Sequence, residues 1–278
     1  MVRVIVVSSG KGGVGKTTVT ANIGVCLARL GYKTVVIDAD AGLRNLDILL
    51  GLENRIIYTA FDVLAEDCRI EQALIKDDRL SDLILLPASS NRNEDALGSS
   101  DMLELVNMLK QNEAVTYDFI IIDSPAGIEQ GFFTAIRAAT ESIIVTTPEI
   151  PAIRDADRVI GLLEANGIRN NKLILNRVRP SMIKANNMMS VHDINVLLSI
   201  PLLGVIPEDE AIIVATNRGD PLVLTEGFNL TKQALENVAS RLIGKDVDFL
   251  DLSEDSTTRE GYFQFIRSFG QRLFRNKK

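Results

Sequence analysis

Seven apolar runs rich in β-branched residues recur along the chain, at 2–8, 33–38, 82–87, 118–123, 142–147, 172–177 and 202–207. They are continuous rather than alternating. Such runs suit strands buried on both faces, as in a parallel sheet. Between them lie segments whose apolar residues repeat at the helical period: 16–30, 101–111, 131–139, 152–166 and 226–243. Strand–helix alternation predicts an α/β fold, a mostly parallel central sheet with helices on both faces joined by right-handed crossovers. Ligands in such sheets bind outside the carboxyl ends of the strands. The pattern fades at 245–260, "KDVDFLDLSEDSTTRE", which is acidic and polar. It reads as a linker between a domain of residues 1–244 and a short terminal segment, 261–278.

The chain has 278 residues, 46% hydrophobic and 24% charged, with a net charge of −7. That is the balance of a globular protein with a sizeable core. The acidic total argues against general nucleic-acid binding. Cys26 and Cys68 are the two cysteines and form no CxxC pair, which argues against a disulfide scaffold, a zinc site or an iron–sulfur cluster. Cys26 and the single His192 read as structural. No apolar run reaches the roughly 20 residues of a transmembrane helix. The first residues run straight into a strand pattern with no cleavable leader, so a reducing, cytoplasm-like compartment is expected.

The first strand is followed by "SSGKGGVGKTT". Gly10, Gly12 and Gly15 fit G-x-G-x-x-G, with acids about 20 residues on, as a dinucleotide-binding dehydrogenase would have. Gly10 to Thr17 also fit G-x-x-x-x-G-K-[ST], the P-loop. Lys16 and Thr17 decide between the two. A lysine there reaches β- and γ-phosphates, and a threonine hydroxyl ligates Mg²⁺, whereas hydride transfer needs neither. Backbone N–H groups from Gly10 through Gly12, Gly13, Val14 and Gly15 to Thr18 would cradle the phosphates. "FIIIDSPAG" ends an apolar strand in Asp123, the arrangement of a metal-holding Walker B acid, and Gly127 follows it. A P-loop NTPase using ATP and Mg²⁺ is expected. Asp38 and Asp40 flank Ala39 at another strand end, so in extended backbone both carboxylates would face the phosphates. Alternatively, one of them caps the following turn.

Lys11, inside the loop, gives "KGGVGKTT". Together with "VVIDADAGLRNLDILLGLENR" (35–55), "NRVRP" (176–180) and "GVIPED" (204–209), the chain resembles the deviant Walker A ATPases of the ParA/MinD family, in its septum-site-determining branch. The resemblance covers nearly the whole chain. It implies an ATP-dependent homodimer with two nucleotides between the subunits. Lys11 would reach the partner's nucleotide and, with Lys16, stabilise charge on the phosphates. Thr17 would bind Mg²⁺, with Asp38 and Asp123 near its water shell. Asp40 would position the attacking water. Asn176 would bond the adenine edge, the loop at Pro207 would cover the base, and Glu149 would meet the partner's nucleotide. The resemblance also implies a MinC-like division inhibitor and a MinE-like activator as partners. The alternative is a ParA-type DNA-partition ATPase, with a basic surface and no membrane segment.

The last residues, "GYFQFIRSFGQRLFRNKK", hold four of the ten phenylalanines and five basic residues but no acid. At about 100° per residue, Tyr262, Phe263, Phe265, Ile266, Phe269, Leu273 and Phe274 gather on one side. Gln264, Arg267, Ser268, Gln271, Arg275 and Lys278 gather on the other. A basic amphipathic helix with aromatic residues is the pattern of an interfacial anchor for an anionic membrane. One such helix binds weakly; two on a dimer gain on the order of 10²–10⁴ in avidity. The expected location is the cytoplasmic face of the inner membrane, or the stromal face in a plastid.

Overall fold

The computed structural model describes residues 2–40, 45–88 and 97–252. In chain order the elements are β1 (Arg3–Ser8), α1 (Lys16–Arg29), β2 (Thr34–Asp38), α2 (Leu46–Leu50), α3 (Ala60–Leu64), α4 (Ile70–Ala73), β3 (Ile75–Asp77) and β4 (Leu80–Pro87). Then come α5 (Ser99–Lys110), β5 (Phe119–Asp123), α6 (Gln130–Ile136), β6 (Glu141–Thr146), α7 (Ile150–Ala165), β7 (Asn170–Val178), α8 (Pro180–Lys184), α9 (Val191–Leu198), β8 (Leu202–Pro207), α10 (Glu210–Asn217) and α11 (Leu230–Leu242).

Among the described residues the strands form one sheet in the order β3-β4-β2-β5-β1-β6-β7-β8. All its pairs are parallel except β3 with β4, an antiparallel edge. The α/β expectation therefore holds, and each of the seven apolar runs is a strand. Their continuity has the cause inferred from sequence. Val4, Val6, Val35, Ile37, Ile120 and Ile122 face one core, under α5, α6, α7 and α9. Ile5, Val7, Val36, Ile121, Ile143 and Val145 face the other, under α1, α2 and α11. Both faces of each central strand are dry, so no polar alternation is tolerated.

Helix boundaries shift where caps override periodicity. The segment read as 226–243 starts at Leu230, because the Asn229 side chain caps the helix by accepting from Lys232 N–H at 2.8 Å. β3 has three residues, too short for a periodic signal. It is fixed by its turn instead: Asp77 Oδ1 accepts from Arg79 N–H at 2.8 Å. The chain beyond Leu252, with Phe263, Phe265, Ile266, Phe269, Leu273 and Phe274 of the expected anchor, lies outside the described residues.

Residues 245–252 do not run free of the domain. Arg241 donates to the carbonyls of Leu203, Val247 and Asp248, and its guanidinium sits 4.0 Å over the Phe249 ring. Leu250 and Leu252 pack against the two cores.

Candidate active site

Order reverses at β1, with β5 on one side and β6 on the other. The crevice beyond its carboxyl end is where an α/β sheet binds ligands, and residues 9–15 turn there into α1. Parallel register then sets the acids. Val7 aligns with Asp123, and Asp123 with Asp38. Three neighbouring strands thus end together beneath one glycine loop.

Lys16 begins α1 and is only 7% exposed. Its Nζ donates to Asp123 Oδ1 at 3.0 Å. Thr20, one turn on, places its hydroxyl 2.8 Å from the same carboxylate oxygen. Asp38 sits beside them, also buried. Its carboxylate accepts three backbone N–H groups: Asp40 at 3.0 Å, Leu46 at 3.2 Å and Asn45 at 3.3 Å. Asp38 therefore takes the turn-capping role and fixes the entry to α2. Burial, with Asp123 opposite, pushes its pKa up to about 7, although the three N–H donors pull the other way. The Lys16 ammonium thus pairs with Asp123, and the buried Asp38 carboxylate next to Asp123 is left short of positive charge. That is the donor chemistry a hydrated divalent cation matches. Asp40, half-buried, follows immediately.

The loop is shaped from below. Gly15 has φ +90°, and a Cβ there would lie 2.3 Å from Asn176 Nδ2. Asn176 is buried at the end of β7 and donates from Nδ2 to Val14 O at 2.8 Å. Its Oδ1 is buried without a partner, an acceptor aimed by the bond its own amide makes. Arg177, next in line, has φ +57°, which costs a residue with a Cβ on the order of 1–2 kcal/mol. The irregularity coincides with a register shift between β7 and β8. Strain at this point turns Asn176 under the loop. On the far side a Cβ on Gly10 would lie 2.5 Å from Asp155 Cβ and O, so α7 backs the loop closely. Gly127 donates its N–H to Ser9 O at 3.1 Å, tying the segment after β5 to the loop.

The sequence-predicted residues divide accordingly. Lys16, Asp123, Asp38, Gly15, Val14 and Asn176 form one connected group. Thr17 and Thr18 lie in the first turn of α1, half-buried. Lys11, Gly12 and Gly13 are exposed at the loop's crest. Glu149 is exposed and occupies the cap position of α7. Pro207 ends β8, aligned with Val178. A cleft of about 730 Å³ opens beside Glu149, lined among others by Ile150, Arg177, Arg179, Met182 and Glu208. Sequence reasoning missed Thr20. Its position four residues after Lys16, on the same helix face, was the available signal.

The family model for the CobQ/CobB/MinD/ParA nucleotide binding domain matches residues 5–222. The chain is 61% identical over 256 residues to a putative septum site-determining protein MinD of Guillardia theta, covering 92% of this chain and 94% of that one. The chain belongs to the MinD family. Among solved MinD structures, the MinC:MinD cell division complex of Aquifex aeolicus is similar at 48% identity and a TM-score of 0.81, over 88% of this chain and 97% of that one. MinD of Pyrococcus horikoshii complexed with Mg-ADP is similar at 32% identity and a TM-score of 0.76, over 87% and 96%. The MinD family thus accounts for the P-loop sequence, the sheet order and the glycine-loop geometry together.

Proposed function

We propose that this chain is a septum site-determining ATPase that dimerises on ATP, attaches to an anionic membrane through residues 261–278 and leaves it after hydrolysis. The observation that carries the catalytic half is the Lys16–Asp123 contact beneath the glycine loop, with Asp38 beside it. Mg²⁺ would neutralise charge on the β- and γ-phosphates, held by Thr17 and, through water, by Asp38 and Asp123.

The chain's own residues have separable tasks. Backbone N–H groups of Gly10 to Thr18 bind the phosphates. Lys16 turns from Asp123 toward phosphate oxygens, which frees that carboxylate for the metal's water. Asp38 holds the following turn and thereby orients Asp40 toward the attacking water. Asn176 Oδ1 accepts from the 6-amino group of adenine, and its fixed amide excludes the reverse orientation. Lys11, at the exposed crest, reaches the nucleotide of a second subunit, and Glu149 meets it from α7. We propose residues 1–244 as the ATPase domain, 245–260 as the linker, with 245–252 held on the domain through Arg241, and 261–278 as the anchor. Each basic residue near an anionic leaflet adds about 1 kcal/mol, so one anchor is reversible and a pair is retained. MinC-like and MinE-like proteins are the proposed partners, in keeping with the MinC:MinD complex of the Aquifex relative.

Sedimentation velocity with ATP, ADP and no nucleotide tests the dimer. Asp40→Ala should pair on ATP and remain paired, because it keeps the binding groups and loses turnover. Lys11→Ala should stay monomeric with ATP bound. A Lys11→Ala protein that dimerises and hydrolyses like the parent contradicts the shared-site reading.

A further inference from the structure

Thr20 lies in α1 between buried Val19 and Ala21 and is itself fully buried, where the helix packs on β5. Such a position is ordinarily filled by an apolar side chain, and a hydroxyl there is costly unless it is bonded. A helical threonine can meet that need on its own, by bonding the carbonyl four residues back. Thr20 has that acceptor, Lys16 O, at 3.1 Å. It also has Asp123 Oδ1 at 2.8 Å. A hydroxyl carries one proton, and the nearer, charged acceptor holds it more strongly. The bond therefore reaches out of the helix to the acid that ends β5.

Lys16 Nζ and Thr20 Oγ1 both donate to the same oxygen of Asp123, but they are not equivalent. Lys16 carries its charge on a flexible four-carbon stem, and the phosphates of a nucleotide in the glycine loop compete for it. Thr20 is β-branched and stiff, one turn further along the helix, and its hydroxyl has no charge for phosphates to draw away. When Lys16 leaves, Thr20 is the side-chain donor that stays. The last torsion of an aspartate is broad and roughly twofold, so the carboxylate plane is set by what bonds it. A hydroxyl fixed on Oδ1 sets that plane and with it the direction of Oδ2.

We propose that Thr20 is a positioning residue for metal–nucleotide binding: it keeps Asp123 oriented once Lys16 has turned to the phosphates, so that the carboxylate meets the water shell of Mg²⁺ in a fixed direction. This rests on the nucleotide-binding reading above. Thr20 touches neither nucleotide nor metal and acts through Asp123.

Full-length protein titrated with a fluorescent ADP analogue, in Mg²⁺ and in EDTA, tests the assignment; ADP keeps the ATP-dependent pairing of subunits out of the signal. The quantity read is the Mg²⁺ gain, the ratio of the two affinities. Thr20→Val and Thr20→Ala lack the hydroxyl, whereas Thr20→Ser keeps it and loses the methyl; Thr20→Ala also stands in should Thr20→Val fail to fold. The gain should shrink by roughly threefold to tenfold without the hydroxyl, the value of about one hydrogen bond, and stay at the parent's level in Thr20→Ser. A gain unchanged in the hydroxyl-free variants, or one that falls in Thr20→Ser as far as in Thr20→Ala, overturns the role of Thr20. A parent protein that shows no Mg²⁺ gain overturns the metal reading beneath it.

Discussion

Two clusters of charge, one half-buried and one buried, lie at opposite ends of the same sheet, and they are built on opposite principles. At the amino ends, Arg3 forks onto both oxygens of Glu141 at 2.7 Å and donates to Leu242 O at 2.7 Å. Asn170 donates to Glu141 Oε2 at 2.9 Å, and Lys172 approaches the same oxygen at 3.8 Å. One acid has two cations, and the Arg3 bond holds the Glu141 carboxyl below its ordinary value. At the carboxyl ends Lys16 pairs with Asp123 at 3.0 Å, and the neighbouring Asp38 carboxyl, buried and facing Asp123, rises to about 7. The first cluster is saturated and can only hold the fold together. The second is short of positive charge, which costs stability and leaves room for a cation. Natural folds tolerate such a deficit mainly where function requires it.

The contrast can be broken at each end. The largest effect is expected from Lys16→Ala, which removes the ammonium paired with Asp123. Turnover of ATP should fall by about 10²-fold or more, read as phosphate release, and a smaller loss would mean that Lys16 is a structural ion pair. Next comes pH. The Asp38 pKa is raised, so the native state binds the extra proton; its destabilisation is absent below about pH 3.8 and grows as pH climbs to about 7. Denaturant titrations without nucleotide or Mg²⁺ should show the parent losing up to about 4 kcal/mol between pH 4 and 8 relative to Asp38→Asn. Glu141 has the opposite sign. Its pKa is lowered from 4.5, so its stabilisation is present above that pH and disappears as pH falls below it. Glu141→Gln should therefore cost about 1–2 kcal/mol at pH 7, a cost that shrinks as pH falls below 4.5, with ATP turnover unaltered. The smallest effect concerns Cys26, whose thiol burial pushes up to about 12. It should resist alkylation in the native protein at about pH 8, read by mass spectrometry, until unfolding exposes it.

The two clusters also differ in how far the sequence reveals them. Lys16, Asp38 and Asp123 each sit at a strand end or loop that is marked locally, by a glycine run or by an apolar run that stops in an acid. Parallel register does the rest, because alignment of β1, β5 and β2 follows from the fold class. The amino-end cluster carries no such mark. Arg3 and Glu141 are 138 residues apart, and a charged residue before a strand is ordinary. Asp209 was legible only as part of a motif, since Asn229 and Thr231, which donate to its carboxylate, lie 20 and 22 residues on. Arg177 could not be read at all: a left-handed arginine within a strand is set by the β7–β8 register shift, not by its own preference. β3 escaped for want of length. The Asp38 turn shows a local rule prevailing, as its carboxylate folds back onto the N–H of Asp40 instead of pointing with it in parallel.

Function on this reading depends on linkage between the charge-deficient end of the sheet and the basic, aromatic residues 261–278. Co-sedimentation of the full chain with anionic phospholipid vesicles, in ATP, in ADP and without nucleotide, measures that linkage directly. The linkage predicts vesicle binding with ATP-Mg²⁺, little with ADP or no nucleotide, and loss of the ATP-dependent fraction in Phe269→Glu. Equal sedimentation in all three conditions, or an ATP-dependent fraction that survives Phe269→Glu, would contradict it.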